Sequence, residues 1–142
     1  MRTQTYVPNA GVNVIGTSLQ SLVNSIIDQE IKEAFRLRTI LINQVPFGLI
    51  TIADTSSIRP IIHKLIAAVV RNSKNGEVHI TADRFRETMS IIIEERNNYN
   101  GYALAFSLRS IEPLARLVGG YISVRGQYEL NATITFCFPN QL

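Results

Sequence analysis

Leu114-Ala-Arg-Leu-Val-Gly-Gly-Tyr-Ile-Ser-Val-Arg-Gly-Gln-Tyr-Glu-Leu-Asn-Ala-Thr-Ile-Thr-Phe-Cys-Phe-Pro139 reads as the end of a helix, a Gly119-Gly120 stop and two alternating strands. Glycine enters the left-handed cap conformation without a Cβ penalty, so a helix that ends on Gly-Gly is expected. Ile122 and Val124, then Ile134, Phe136 and Phe138, recur every second residue and place one face of each strand on a core. The two strands are predicted to pair as a hairpin that closes a sheet.

Working outward, residues 102–118 are predicted to be mostly helical, with a break or kink near Glu112 because Pro113 follows it. Residues 97–101 (Asn-Asn-Tyr-Asn-Gly) form a turn or loop. Residues 77–82 and 87–93 read as strands, and Lys74-Asn75-Gly76 as a tight turn before them. Asp54-Thr-Ser-Ser opens a helix over residues 58–72. Its buried face is Ile61, Ile62, Leu65, Ile66, Val69 and Val70, and Pro60 is tolerated in its first turn. Residues 38–45 and 49–53 are predicted strands that pair across a Pro46-Phe-Gly48 turn. Thr17 or Ser18 caps a helix to about Phe35, with Leu19, Leu22, Val23, Ile26, Ile27, Ile31 and Phe35 on one face. Residues 1–15 are polar and punctuated by Pro and Gly, and are expected to be a flexible arm, leaving 16–142 as a single domain. Strand pairs separated by single helices predict an α/β (α+β two-layer) sandwich, one mixed sheet with its helices on one face.

Composition bounds the function. A chain of 142 residues with 46% hydrophobic side chains can bury about two-thirds of its unfolded surface. The net charge of +3 comes from scattered basic residues without a run of five or six, so no nucleic-acid partner is expected. No apolar stretch approaches the roughly 18 residues of a membrane helix, so no membrane contact is expected. Met1-Arg-Thr-Gln-Thr-Tyr-Val-Pro lacks the apolar segment of a secretory signal, and Cys137 is the one cysteine. A cytoplasmic location follows as the expectation. Cys137, between Phe136 and Phe138, is read as a packing residue.

Ile58-Arg-Pro-Ile-Ile-His-Lys-Leu-Ile-Ala-Ala-Val-Val-Arg-Asn-Ser-Lys-Asn-Gly-Glu-Val-His-Ile80, preceded by Ala53-Asp54, resembles the helix-turn-strand unit that carries the N-box of sensor histidine kinases. The Gly-Gly hairpin resembles the end of the same ATP-binding domain (the Bergerat or GHKL ATPase fold). Together they cover residues 18–139. The resemblance implies an N-box asparagine whose oxygen holds Mg²⁺ against the nucleotide phosphates, as a hard cation requires. Ala68 stands there. Lys64 stands where the family commonly has an Asn, His or acidic residue that helps activate water, and Arg71 matches the basic position that reaches phosphate. Glu95 stands for the adenine-binding Asp of the next box, but Asn97 and Tyr99 replace its glycines and should crowd the base pocket. The lid loop is short. Gly101 is its one glycine, since residues 102–107 (Tyr-Ala-Leu-Ala-Phe-Ser) offer no second, so the nest of N–H groups for an anion is missing. Ala132, after Asn131, stands near where a Gly and a Ser or Thr support adenine.

Other chemistry is thin. His63 lies beside Lys64 without an adjacent acidic residue, and a helix-packed His is the simpler reading than a phosphoacceptor. His79 is placed on the solvent face of its strand. Two histidines and one cysteine make no metal site at these spacings. Ser107 and Ser110 lack triad partners. Glu94-Glu95-Arg96 reads as a solvated strand end. The resemblance and the altered positions imply a non-catalytic interaction or regulatory module of two-component signalling, leaning away from an enzyme and with no cofactor expected. A response regulator or sensor kinase is the implied partner, with a homodimer as the other expected association. Two alternatives stay open. One is a divergent ATP-binding histidine kinase domain using Arg71, Glu95 and Gly101 with ATP and Mg²⁺. The other is a small α/β binding protein that dimerises through the sheet face or an edge strand at residues 91–93.

Overall fold

The computed structural model describes residues 4–9, 12–98 and 100–141. Their order is β1 (Gln4–Asn9), β2 (Val12–Ser18), α1 (Leu19–Arg36), β3 (Ile40–Asn43), β4 (Ile50–Thr51), α2 (Thr55–Arg71), β5 (Ser73–Phe85), β6 (Thr88–Asn98), α3 (Gly101–Leu117), β7 (Tyr121–Arg125) and β8 (Asn131–Pro139). The main sheet has the strand order β3-β5-β6-β8-β7, with β3 parallel to β5 and every other pair antiparallel. It is a mixed sheet with the three helices packed on one face, as expected. A smaller antiparallel sheet, β1-β2-β4, stands beside it.

The period of two fixes which side chains face the helices. Val78, Ile80 and Ala82 of β5, Met89, Ile91 and Ile93 of β6, and Ala132, Ile134, Phe136 and Phe138 of β8 are all buried. Opposite them lie Leu22, Val23 and Ile26 of α1, Ile62, Leu65 and Ile66 of α2, and Leu104, Leu108 and Ile111 of α3, in one cluster. The helix α2 is central, packed against both α1 and α3.

Local chemistry explains the helix starts. Asp54 Oδ1 accepts from Ser56 N at 3.1 Å and Ser56 Oγ at 2.8 Å, and its Oδ2 accepts from Ser57 Oγ at 3.1 Å. Ser18 caps α1 by accepting from Ser21 N. Each cap satisfies a donor that the helix itself cannot. Asp54→Ala is therefore expected to cost about 1 kcal/mol of stability, measured as a lowered urea midpoint at unchanged slope.

Several expectations are corrected. Residues 38–45 and 49–53 do not pair with each other. β3 runs parallel to β5 from Ile40↔Glu77 to Asn43↔Ile80, whereas β4 joins β2 through Thr17↔Thr51 and Ser18↔Ile50. Asn43 directs the chain away from a hairpin. Its Nδ2 donates to Gln20 O and Asn24 Oδ1 of α1, and its Oδ1 accepts from Val45 N. Gly48 still makes its turn (φ 88°), but towards β2. The start of the chain, expected to be an arm, is paired backbone from Gln4↔Thr17 to Asn9↔Val12, and β2 crosses the expected boundary at residue 15.

The helix α2 begins at Thr55, so Pro60 lies in its second turn rather than its first. Pro113 does not break α3. Pro113 and Arg109 are both exposed, so water can reach the carbonyl that proline leaves without a partner, while Leu108, Ile111 and Ala115 hold the buried side. Ile31 and Phe35 of α1 turn outward, at 50% and 85% exposure, because Glu30 and Ala34 occupy the inward positions. Lys74, Asn75 and Gly76 are not a tight turn but an irregular part of β5, with the register shifting between Ser73 and Glu77. Asn97 Nδ2 secures it by donating to Lys74 O at 3.1 Å. Residues 91–93 are not an edge, since β6 lies between β5 and β8.

Candidate functional site

The site the resemblance points to lies where α2, α3, the end of β6 and the start of β8 meet. Ala68 is fully buried on α2, between the buried Ala67 and the fully buried Val69. Its methyl group offers no oxygen to a cation. Lys64 and Arg71, one turn before and just under one turn after it, are exposed. With Phe106, Ser107, Arg109, Ser110 and Ile111 of α3 they line a cleft of about 490 Å³.

Glu95 does not belong to a solvated strand end. It is fully buried, continuing the inward series Met89, Ile91 and Ile93, and its Oε1 accepts from Ser73 Oγ at 3.2 Å. The same Ser73 hydroxyl lies 2.8 Å from Val69 O, so the carboxylate is tied to the C-terminal end of α2. Its neighbours Glu94 and Arg96 form an exposed pair at 2.7 Å. Ala132 faces Glu95 across the β6–β8 ladder and is fully buried. The fold thus brings Glu95 and Ala132 together.

Asn97 has φ 70°, the left-handed conformation a glycine would take there without strain. Its side chain clips β5 instead of lining a pocket. Tyr99 lies outside the described residues. Gly101, the first residue of α3, has a packing role: a Cβ there would come within 1.8 Å of Gln127 O and 2.8 Å of the Gln127 carbonyl carbon. Asn100 Oδ1 accepts from Ala103 N at 3.2 Å, so a free donor of the helix start is already used. Beside it, the rings of Tyr102 and Tyr128 pack against each other at a tilt of 47°, with centroids 4.9 Å apart. At the positions the resemblance marks, Ala68 carries no oxygen, the Glu95 carboxylate is buried, and the start of α3 is capped by Asn100 and packed against Gln127.

The remaining candidates fall into place. His63 does have an acidic partner, Glu30 of α1, with Nε2 at 2.8 Å from Oε1. Arg59 Nη1 donates to Ser25 Oγ at 2.6 Å along the same α1–α2 seam. No local signal could show this, because the partners are 33 residues apart. His79 lies on the open sheet face with only 11% of its side chain exposed, 3.3 Å from Glu77. Ser107 and Ser110 donate to the carbonyls of Ala103 and Ser107 within their own helix. Cys137 is buried, its Sγ 3.3 Å from Ser90 Oγ. Among the described residues no three His, Cys, Asp or Glu side chains cluster to hold a metal, and no helix is long and apolar enough to cross a membrane.

No protein-family model and no curated protein matches the sequence. Solved structures do match. The histidine kinase AdeS of Acinetobacter baumannii superimposes with a TM-score of 0.73 at 12% identity, over 93% of this chain and 71% of that one. The catalytic domain of the histidine kinase ThkA gives 0.69 at 13% identity, over 99% and 98%. Full-length ShkA, in complex with AMPPNP, gives 0.70 at 16% identity, over 98% of this chain and 31% of that one. The chain has the histidine-kinase ATP-binding fold. Agreement over almost all of the ThkA domain means that the histidine-kinase-type framework, including the Gly119-Gly120 stop and closing hairpin, is present from end to end. At these identities the likeness reaches the framework and not the side chains that line it.

Proposed function

We propose that this histidine-kinase-type domain is a non-catalytic interaction or regulatory module of two-component signalling, working in the cytoplasm with a response regulator or sensor kinase. The observation that supports it is Ala68, a fully buried methyl where the fold's nucleotide-binding members are expected to place a metal-holding oxygen. The module would act by presenting a surface, without ATP or Mg²⁺. Calorimetric titration of the full chain with Mg²⁺-ATP tests this. No heat of specific binding is expected up to millimolar nucleotide, and micromolar affinity would overturn the reading.

The likeness to ShkA, solved with AMPPNP, favours a second reading, a divergent ATP-binding kinase domain. It requires Glu95, Arg71 and Gly101 to hold the nucleotide, and so predicts binding that weakens on Glu95→Ala. The buried position of Glu95 beneath Ser73 weighs against it.

A further inference from the structure

The cleft between α2 and α3 carries three cations. Lys64 and Arg71 are seven residues apart on one face of α2, about 10 Å along its axis, and Arg109 faces them from α3. Among the described residues none of the three forms an ion pair, although other arginines do. The nearby carboxylates are already engaged. Glu112, one turn from Arg109, binds Arg116 at 2.7 Å. Glu33 is held below the usual carboxylate range first by its hydrogen bond to Arg36, with Arg71 adding only a weaker pull. Phe106 lies in the same cleft at 75% exposure, an apolar surface between charges.

Two features decide what such a cleft would take. The cations are strung along the groove instead of converging, and the cleft is lined by α2 from Lys64 to its C-terminal Arg71 and by the middle of α3, where the backbone N–H groups are committed to their own helices. A compact phosphate group is best held by convergent N–H donors at a helix start or nest, which this cleft lacks. Carboxylates spaced along a helix, at one-turn and two-turn intervals, match the Lys64–Arg71 spacing and leave an apolar side chain to lie on Phe106.

We propose that the Lys64–Arg71–Arg109 cleft docks an acidic amphipathic helical segment of a partner protein. This rests on the reading of the chain as an interaction module and gives that module its surface and the charge of its partner. Long-range attraction between the cleft and an acidic partner would speed encounter and weaken with salt.

The test titrates the full chain into a fluorescent synthetic helical peptide with Glu at i, i+3 and i+7 and Leu between, followed by anisotropy. The acidic peptide is expected to bind at low salt and a Lys-substituted counterpart is not. Lys64→Glu, Arg71→Glu and Arg109→Glu together should weaken binding at least about tenfold, while Arg125→Glu on the edge strand β7 leaves it unchanged. Circular dichroism confirms that each variant is folded. Absence of binding, equal binding of the basic peptide, or equal loss in Arg125→Glu overturns the proposal. Mg²⁺-ATP and anionic vesicles are run as competitors. Displacement by ATP that depends on the three cations would overturn both this proposal and the non-catalytic reading, and displacement by vesicles would assign the cleft to lipid and overturn this one. If neither peptide nor ATP binds, the docking proposal fails and the non-catalytic reading stands.

Discussion

Gly120→Ala is expected to destabilise the protein by about 3 kcal/mol, and Gly119→Ala by only about 1 kcal/mol, although the two glycines are adjacent. They serve different ends. Gly119 N donates to Arg116 O at 2.9 Å and Gly120 N to Ala115 O at 2.9 Å. That is the Schellman pattern, with Gly119 at φ 77° in the left-handed position. An alanine at 119 is strained by its backbone, yet its Cβ would meet only the Pro139 ring, at 3.4 Å from Cγ and 3.8 Å from Cδ, which is ordinary contact. At 120 the difficulty is space. A Cβ would come within 2.1 Å of Cys137 O and 3.2 Å of the Phe136 ring. That carbonyl belongs to β8, itself held between β6 and β7, so it cannot retreat without loosening the ladder. Urea unfolding of the two single variants separates the effects. If Gly119→Ala costs as much as Gly120→Ala, the close approach of Gly120 to β8 is not what the second glycine serves.

That contrast also marks where the sequence is legible. The Gly-Gly stop and the alternation of β7 and β8 are local signals, and the structure keeps both. The pairing of β3 is not local. It depends on Asn43 reaching α1 and on the crossover through α2, so the run at residues 38–53 looks like a hairpin when read alone. Pro113 misleads for a similar reason, since its local penalty is offset by burial on the far side of α3. For the candidate site, the inward position of Glu95 was readable: Met89, Ile91 and Ile93 set the period that Glu95 continues. The pairing of His63 with Glu30 and the opposition of Arg109 to Lys64 and Arg71 were not, because they follow from how the helices pack.

Asn140→Ala is expected to cost about 3 kcal/mol, from one buried and one part-buried donor left without their acceptor. Asn140 Oδ1 accepts from Thr51 Oγ1 at 2.8 Å and from Ile52 N at 3.0 Å, and the Asn140 backbone N donates to Glu87 O at 2.7 Å. Thr51 is fully buried and Asn140 is 4% exposed, so water cannot readily replace the lost bonds. The side chain also occupies a joint in the architecture. Thr51 belongs to β4 of the small sheet, and Asn140 directly follows β8 of the large one. Removing the carboxamide should therefore loosen the small sheet first, with faster hydrogen exchange at Thr51 and Ile52 than in β6. Thr51→Val removes one donor and supplies a double-mutant cycle. A coupling of about 1 kcal/mol between the two positions is expected from their direct bond. Additive losses, or a total for Asn140→Ala below about 1 kcal/mol, would mean that the sheets are joined by apolar packing alone.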